Sequence, residues 1–171
     1  MLAIKKAFLK KKFFKLLADK ENTRVVSDKE IVSVGVIASQ KISNFIQIEE
    51  EIKKTLGFEN VKVVTFLDYD KKNHHAQFYY SDKDVDWSGA FQQTALRDFL
   101  NEPLDLLIGY FNTNNVFLEM AVLKSKATFK VGFSEVNQQL YDMEIAEIPS
   151  KIDNFLNELK KYLVILKKMK N

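Results

Sequence analysis

Residues 32–38 read Val-Ser-Val-Gly-Val-Ile-Ala, and residues 61–67 read Val-Lys-Val-Val-Thr-Phe-Leu. The first run lacks apolar–polar alternation, as expected for a parallel strand covered on both faces. Residues 42–56, which lie between the two runs, change to helical spacing. Their apolar stripe consists of Ile42, Phe45, Ile46, Ile52 and Leu56. A strand, a helix and a strand in this order predict a βαβ unit with a right-handed crossover.

The same alternation of strands and helices continues towards the C-terminus. Further strands are predicted at residues 77–80, 104–111 and 128–133, with an edge strand within 140–148. Further helices are predicted at 94–101, at 115–124 and from Ile152 to Leu166. Asn112 or Thr113 is the predicted N-cap of the second of these helices, and Ser150 with Asp153 is a predicted capping box for the third. This order predicts an α/β fold, namely a three-layer Rossmann-like sandwich around a mainly parallel sheet of four to six strands.

Residues 2–18 predict an amphipathic helix at the N-terminus. Its apolar face consists of Leu2, Leu9, Phe13, Leu16 and Leu17. The opposite face carries Lys5, Lys11, Lys12 and Lys15, together with Ile4 and Phe8. We therefore divide the chain into a basic N-terminal helix, residues 1–20, and a single α/β domain, residues 24–171.

Charge is distributed unevenly along the 171 residues, although the net charge is only +3. Residues 1–20 carry seven lysines and one acidic residue, Asp19, while residues 160–171 carry five lysines and no acidic residue. The basic helix has three possible roles: docking on the acidic body of its own domain, contact with an anionic membrane surface or a protein partner, or binding of nucleic acid phosphates. Nucleic acid is the less favoured partner because the first 20 residues contain no arginine.

Cellular location is inferred from what the sequence lacks. The chain has no cysteine, which excludes disulfides, thiolate metal sites and cysteine nucleophiles. Lysines interrupt the apolar N-terminal stretch, so it does not resemble a secretory signal, and no run approaches the roughly 20 apolar residues of a membrane span. We expect a cytoplasmic protein, either free or peripheral to the inner face of the membrane.

Known catalytic and nucleotide-binding motifs are also missing. Three glycines lie within predicted strands, Gly35, Gly109 and Gly132, but none belongs to a dinucleotide-binding or Walker motif, so packing is their favoured role. The run from Asp82 to Asp86 begins like a calcium loop but has Trp87 where glycine is required. We therefore assign no catalytic residue, no metal ligand and no cofactor.

Histidines 74 and 75 leave one metal hypothesis open, because Asp68 and Asp70 lie nearby in sequence. Adjacent residues point in opposite directions on a strand and chelate poorly together. An exposed loop is the favoured interpretation.

Polar residues follow the predicted strands at their carboxyl ends, where open parallel sheets bind ligands. This strand-end set comprises Ser39, Gln40, Asp68, Asn112, Asn114, Asn115, Ser134 and Glu135. The set predicts a site for a small molecule such as a nucleotide or sugar phosphate, unless these residues merely cap helices and turns. Tyr69, Tyr110 and Phe111 are the aromatic residues that would fill such a crevice.

Two resemblances are carried by the third and fourth strands. Pro-Leu-Asp-Leu-Leu-Ile at 103–108 and Ser-Lys-Ala-Thr-Phe-Lys-Val-Gly-Phe-Ser-Glu at 125–135 resemble a family of small bacterial proteins of unknown function, as do 25–27 and 33–36. That resemblance implies an α/β fold and a cytoplasmic bacterial protein, and it brings no activity. Residues 105–133 are also similar to part of the N-terminal half of heptosyltransferase-like glycosyltransferases, but the chain has no room for the second domain of those enzymes.

The leading hypothesis is a non-catalytic binding or interaction module whose basic N-terminal helix contacts an anionic membrane surface or a partner. The alternative is a small nucleotide- or sugar-phosphate-binding α/β protein, with or without enzymatic activity, that uses the strand-end set.

Overall fold

The computed structural model describes residues 1–20, 27–68 and 71–171, without the side chain of Gln138. The described strands are β1 (Ser33–Ser39), β2 (Asn60–Phe66), β3 (Tyr79–Tyr80), β4 (Leu106–Tyr110), β5 (Lys130–Phe133) and β6 (Met143–Ile145). The described helices are α1 (Leu2–Lys20), α2 (Gln40–Ser43), α3 (Ile48–Leu56), α4 (Thr94–Asn101), α5 (Val116–Lys124) and α6 (Ile152–Ile165).

The six described strands form one sheet in the order β3-β2-β1-β4-β5-β6, and every neighbouring pair is parallel. The order reverses between β1 and β4, which pair from Val34 with Leu106 to Ala38 with Tyr110. The predicted α/β fold with a parallel sheet is confirmed, and the edge strand expected within 140–148 is β6.

Alternate residues of the central strands point into two separate cores. Leu107 and Phe111 lie in the core beneath α1, α4 and α5. Leu106 and Ile108 lie in the core beneath α3 and α6. Both faces of the sheet are therefore covered, which explains why the central strands lack polar positions.

Helix α5 is buried except at its last residue, since every residue from Val116 to Leu123 is buried and Lys124 is half-buried. The sheet covers one side of it, and α1 covers another with Leu9, Phe13 and Leu17. Its C-terminal carbonyl groups are satisfied by lysines: Lys130 Nζ donates to Val122 O at 2.6 Å, and Lys20 Nζ donates to Leu123 O. Cations at this end also offset the helix dipole.

The inner glycines of β4 and β5 accommodate one aromatic ring. A β-carbon on Gly109 or Gly132 would collide with the side chain of Tyr141, while one on Gly35 would collide with Leu104 and Phe99. The interpretation of these glycines as packing positions is confirmed.

Three local predictions are wrong. The helix expected over 42–56 is split into α2 and α3, and Phe45, which was placed on its apolar stripe, is 84% exposed. Asn115, rather than Asn112 or Thr113, caps α5, because its Oδ1 accepts hydrogen bonds from the N–H groups of Phe117 and Leu118. Ser150 and Asp153 do not form a capping box, since the residue before α6 is Lys151 and its side chain makes no capping hydrogen bond.

Candidate functional site

Helix α1 is apolar on two opposite faces, and only one of them is used inside the domain. The inner stripe of Leu9, Phe13 and Leu17 is at most 3% exposed. On the other side, Ile4 is 53% exposed and Phe8 is 61% exposed. Most of the predicted apolar face is thus consumed by packing on α5, and a second apolar surface remains open to solvent.

Lysines surround that open surface. Lys11, Lys12 and Lys15 are exposed. Positions 4, 8, 11 and 15 are three or four residues apart, so Lys11 and Lys15 lie on the same face of the helix as Ile4 and Phe8. Lys5 is different: it is partly buried, and its Nζ donates to Asp82 O at 2.7 Å. Three of the four lysines proposed as contacts therefore point to solvent, and the fourth ties α1 to the segment after β3.

Trp87 joins this surface from a distant part of the chain. It is 46% exposed, and its ring packs edge-on against Phe8 with centroids 5.8 Å apart. We call the surface formed by Ile4, Phe8, Lys11, Lys12, Lys15 and Trp87 the outer patch. From the sequence, Trp87 is only the residue that breaks the calcium-loop pattern, and no periodicity could connect it to Phe8, 79 positions earlier.

The turn that presents Trp87 is held by the carboxylate of Asp86. Its Oδ1 accepts hydrogen bonds from Ser88 N at 2.8 Å, Ser88 Oγ at 2.6 Å and Ala90 N at 2.9 Å. The Ser88 hydroxyl, with these N–H groups, holds the pKa of Asp86 below its usual value. Gly89 completes the turn with a φ of 82°. Trp87 is thus fixed at the surface by a compact hydrogen-bonded loop.

Two buried polar groups lie beneath α1. Glu119 of α5 is 6% exposed, and burial raises the pKa of its carboxyl to about 7, although Lys10 of α1 opposes the rise. The hydroxyl of Tyr141 is also buried and has no hydrogen-bond partner. Burial raises the pKa of Tyr141, and Glu119 adds to this effect. Of the two groups, the Glu119 carboxyl is the one that makes the α1–α5 interface sensitive to pH near neutrality, because the raised pKa of Tyr141 keeps its hydroxyl protonated.

Replacing Glu119 by glutamine is expected to flatten the pH dependence of stability. Because the folded pKa of about 7 lies above the ordinary 4.5, the folded protein binds the proton more tightly, and the free energy of unfolding falls as pH rises from about 4.5 to about 7. At pH 8, Glu119→Gln should be about 1–3 kcal/mol more stable than the native chain, as measured by urea unfolding. Glu119→Asp keeps the carboxyl and should keep the slope; an equal slope in Glu119→Gln would contradict the assignment.

The strand-end set lies at two places along the sheet edge. One group lies at the ends of β1 and β2, where Ser39 and Gln40 are buried. Gln40 Oε1 accepts a hydrogen bond from Asp68 N at 3.2 Å, and Lys41 Nζ forms an ion pair with Asp68 Oδ2 at 3.4 Å. The other Asp68 oxygen, Oδ1, is buried without a hydrogen-bond partner. This group ties the β1 and β2 ends together.

The second part of the strand-end set lies beyond β4 and β5. Asn112 Nδ2 donates to Glu135 Oε2 at 3.4 Å, Asn115 caps α5, and Asn114 is exposed. Ser134 N donates to Ile145 O of β6. Capping and strand-end hydrogen bonds account for most of these contacts, and a small-molecule site here stays a prediction.

The aromatic residues expected to fill the crevice lie in the cores. Phe111 is fully buried under α5, and Tyr110 is buried on the opposite face with its hydroxyl donating to Pro149 O at 2.7 Å. Tyr69 and Asp70 lie outside the described residues. The His74 ring packs against Tyr79 with centroids 4.5 Å apart, and the described residues contain no group of three or more histidine or acidic side chains placed to hold a metal.

Among the described residues, each helix is too short or too polar to span a lipid bilayer.

Comparison with known proteins places the chain in a family. No curated protein and no solved structure matches the chain. The sequence model of one family, whose description is "Family of unknown function (DUF6913)", matches residues 5–166. Since that match covers nearly the whole chain, the protein belongs to the family of unknown function DUF6913.

Proposed function

We propose that this protein is a peripheral binding module that attaches to an anionic membrane surface through the outer patch. The observation that supports this proposal most strongly is the exposed Phe8–Trp87 pair, which two distant segments bring together beside Lys11, Lys12 and Lys15. Exposed aromatic rings rimmed by lysines combine the two attractions that hold proteins at a lipid interface.

The energetics of the patch suit reversible attachment. Each lysine near an anionic leaflet contributes about 1 kcal/mol, and tryptophan and phenylalanine prefer the boundary between headgroups and acyl chains. Exposed Ile4 adds apolar area beside Phe8. Three lysines and a few apolar side chains are enough for binding that weakens with salt, without any membrane-spanning element.

The docked position of α1 decides how the chain would lie on the membrane. Because Leu9, Phe13 and Leu17 are held inside the domain, this stripe is not free to enter the interface, and the outer patch is the lysine-rimmed apolar surface that can. The helix is already folded before binding, so no ordering cost is added. We therefore expect α1 to lie in the plane of the membrane with the sheet behind it.

The test is sedimentation with vesicles of phosphatidylcholine containing about one-third phosphatidylserine. The double variant Phe8→Ser with Trp87→Ser should reduce the partition coefficient between vesicle and water at least tenfold, because it removes the apolar area of two rings. The variant should still fold, because both rings are exposed and their removal leaves the core intact. Phe45→Ser is the matched control, since Phe45 is 84% exposed but lies outside the outer patch.

Two results would contradict the membrane proposal. One is the absence of binding by the native chain at low salt; the other is native-like binding by the double variant. If the double variant instead loses a specific protein partner while vesicles never bind, the outer patch serves protein recognition. A cytoplasmic location at the inner face of the membrane, a bacterial origin and a local likeness to heptosyltransferase-like enzymes stay expectations from the sequence.

A further inference from the structure

We infer that a small cleft between α4 and the C-terminal end of α5 binds a phosphate ester, and that in the membrane-bound protein this ester is a phospholipid headgroup. This inference rests on the proposed membrane attachment for the source of the phosphate. The cleft itself stands on separate observations. Its volume is about 350 Å³, which accommodates a phosphate with a short glycerol unit.

The side chains around the cleft match an anion. Its polar lining is supplied by Gln92, Arg97, Asn101 and Lys124, and its apolar wall by Phe91 and Leu100. Among the residues that the structure describes, no carboxylate lines it. Arg97, Lys124 and the amide of Asn101 supply hydrogen-bond donors that phosphate oxygens accept, whereas Gln92 Nε2 already donates to Asp86 Oδ2 and Ala90 O.

Both cations are held in place by backbone oxygens. Arg97 Nη1 donates to Phe91 O at 3.3 Å and to Gln92 O at 3.4 Å, and Nη2 donates to Thr94 Oγ1 at 3.3 Å. Lys124 Nζ donates to Gly89 O and lies 5.6 Å from the centre of the Phe91 ring. A guanidinium has five N–H donors and an ammonium has three, so both retain donors for a ligand. Fixed cations bind an anion with little loss of side-chain entropy.

The carboxylate of Asp86, which acts electrostatically on Lys124, is already hydrogen-bonded within its own loop. Asp86 accepts hydrogen bonds from Ser88 and Ala90, and its Oδ2 accepts from Gln92 Nε2 at 3.1 Å. Burial and the nearby charge of Lys12 lower the pKa of Lys124, while Asp86 opposes that effect. A phosphate in the cleft would add a second negative charge beside this partly buried ammonium.

The cleft adjoins the outer patch through the Trp87 loop. Lys124 bonds to Gly89, which is two positions beyond Trp87, and a β-carbon on Gly89 would lie 3.6 Å from Leu9 of α1. The cleft and the outer patch therefore share one side of the sheet and one rigid loop. Aromatic insertion at Trp87 would bring lipid phosphates close to Arg97 and Lys124.

The first arm of the test uses a soluble probe, sn-glycerol 3-phosphate, followed by amide chemical shifts of the full chain. We expect saturable shifts confined to the backbone around Gln92, Arg97 and Lys124. Asn101→Asp puts a carboxylate into the cleft without touching the Lys124–Gly89 bond and should weaken binding at least tenfold. Asn157→Asp on the exposed side of α6 is the matched control. Absence of shifts in the native chain, or an unchanged affinity in Asn101→Asp, would overturn the site.

The second arm identifies the source of the phosphate with vesicles of equal surface charge containing either phosphatidic acid or phosphatidylserine. The native chain should prefer phosphatidic acid several-fold, and Asn101→Asp should lose the preference while it still binds both vesicles. Phe8→Ser with Trp87→Ser should lose vesicle binding but keep the glycerol phosphate shifts, so failure of the patch and failure of the cleft are distinguishable. Glycerol phosphate binding without any headgroup preference would overturn the lipid assignment and point to a soluble phosphate ester.

Discussion

Replacing Phe13 by alanine is expected to lower the free energy of unfolding by about 3–5 kcal/mol, the usual cost of deleting a fully buried phenylalanine. Phe13 is 1% exposed and belongs to the core that contains Phe117, Met120 and Leu123 of α5. Its removal would leave a cavity between α1 and α5, and α5 is buried from Val116 to Leu123. Urea denaturation monitored by circular dichroism measures the effect.

Phe14 provides a matched control one residue further along. It has the same side chain on the same helix, but it is 52% exposed. Its loss removes mainly an edge-on contact with the Phe13 ring, at a centroid distance of 5.4 Å, so Phe14→Ala should cost about 1 kcal/mol or less. Equal losses for the two variants would show that α1 is not docked on α5 as described.

Replacing Gly132 by alanine is the second change with a large expected effect. A β-carbon at this position would overlap the ring of Tyr141, including Cε1 at 2.6 Å. The ring is buried over β4 and β5 and cannot move without disturbing the core that contains Phe111 and Val136. Overpacking of this kind costs about 1–3 kcal/mol, and we expect the upper end of that range.

A double-mutant cycle tests the cause. In a Tyr141→Ala background the ring is absent, so Gly132→Ala should then cost little, and the two substitutions should show a coupling of about 1 kcal/mol or more. Thermal or urea unfolding of the four proteins gives the coupling. Additive losses would mean that Gly132 is required for its backbone rather than for the approach of Tyr141.

Docking of α1 and membrane attachment are compatible because they use different faces of one helix. Of the three roles open to the basic helix, internal docking accounts for Leu9, Phe13 and Leu17. It does not account for exposed Ile4 and Phe8. A helix that served only to cover α5 would be expected to carry polar residues at these two positions. The outer patch therefore needs a reason of its own, and contact with a lipid surface is the one we propose.

The sequence predicted the layers of the fold because strands and helices leave different periods in a chain. Buried parallel strands such as β1 and β4 need continuous apolar runs, and α6 needs an apolar stripe, and both patterns are local. Local patterns were less reliable at element ends. Residues 44–47 fit the apolar stripe of a longer helix. In the structure the helix is interrupted at these residues, and Phe45 faces solvent.

By itself, then, the sequence determined the α/β class, the parallel sheet, the positions of the main elements and the concentration of lysine at both termini. Tertiary structure alone decided which face of α1 is buried, that Phe8 meets Trp87, that Tyr141 covers Gly109 and Gly132, and that Arg97 and Lys124 line one cleft. The physical reason is distance along the chain. Periodicity indicates which residues of a segment face the core and which face solvent. A surface or a cleft is formed by side chains from several segments, and whether those side chains come into contact depends on how the helices and strands pack.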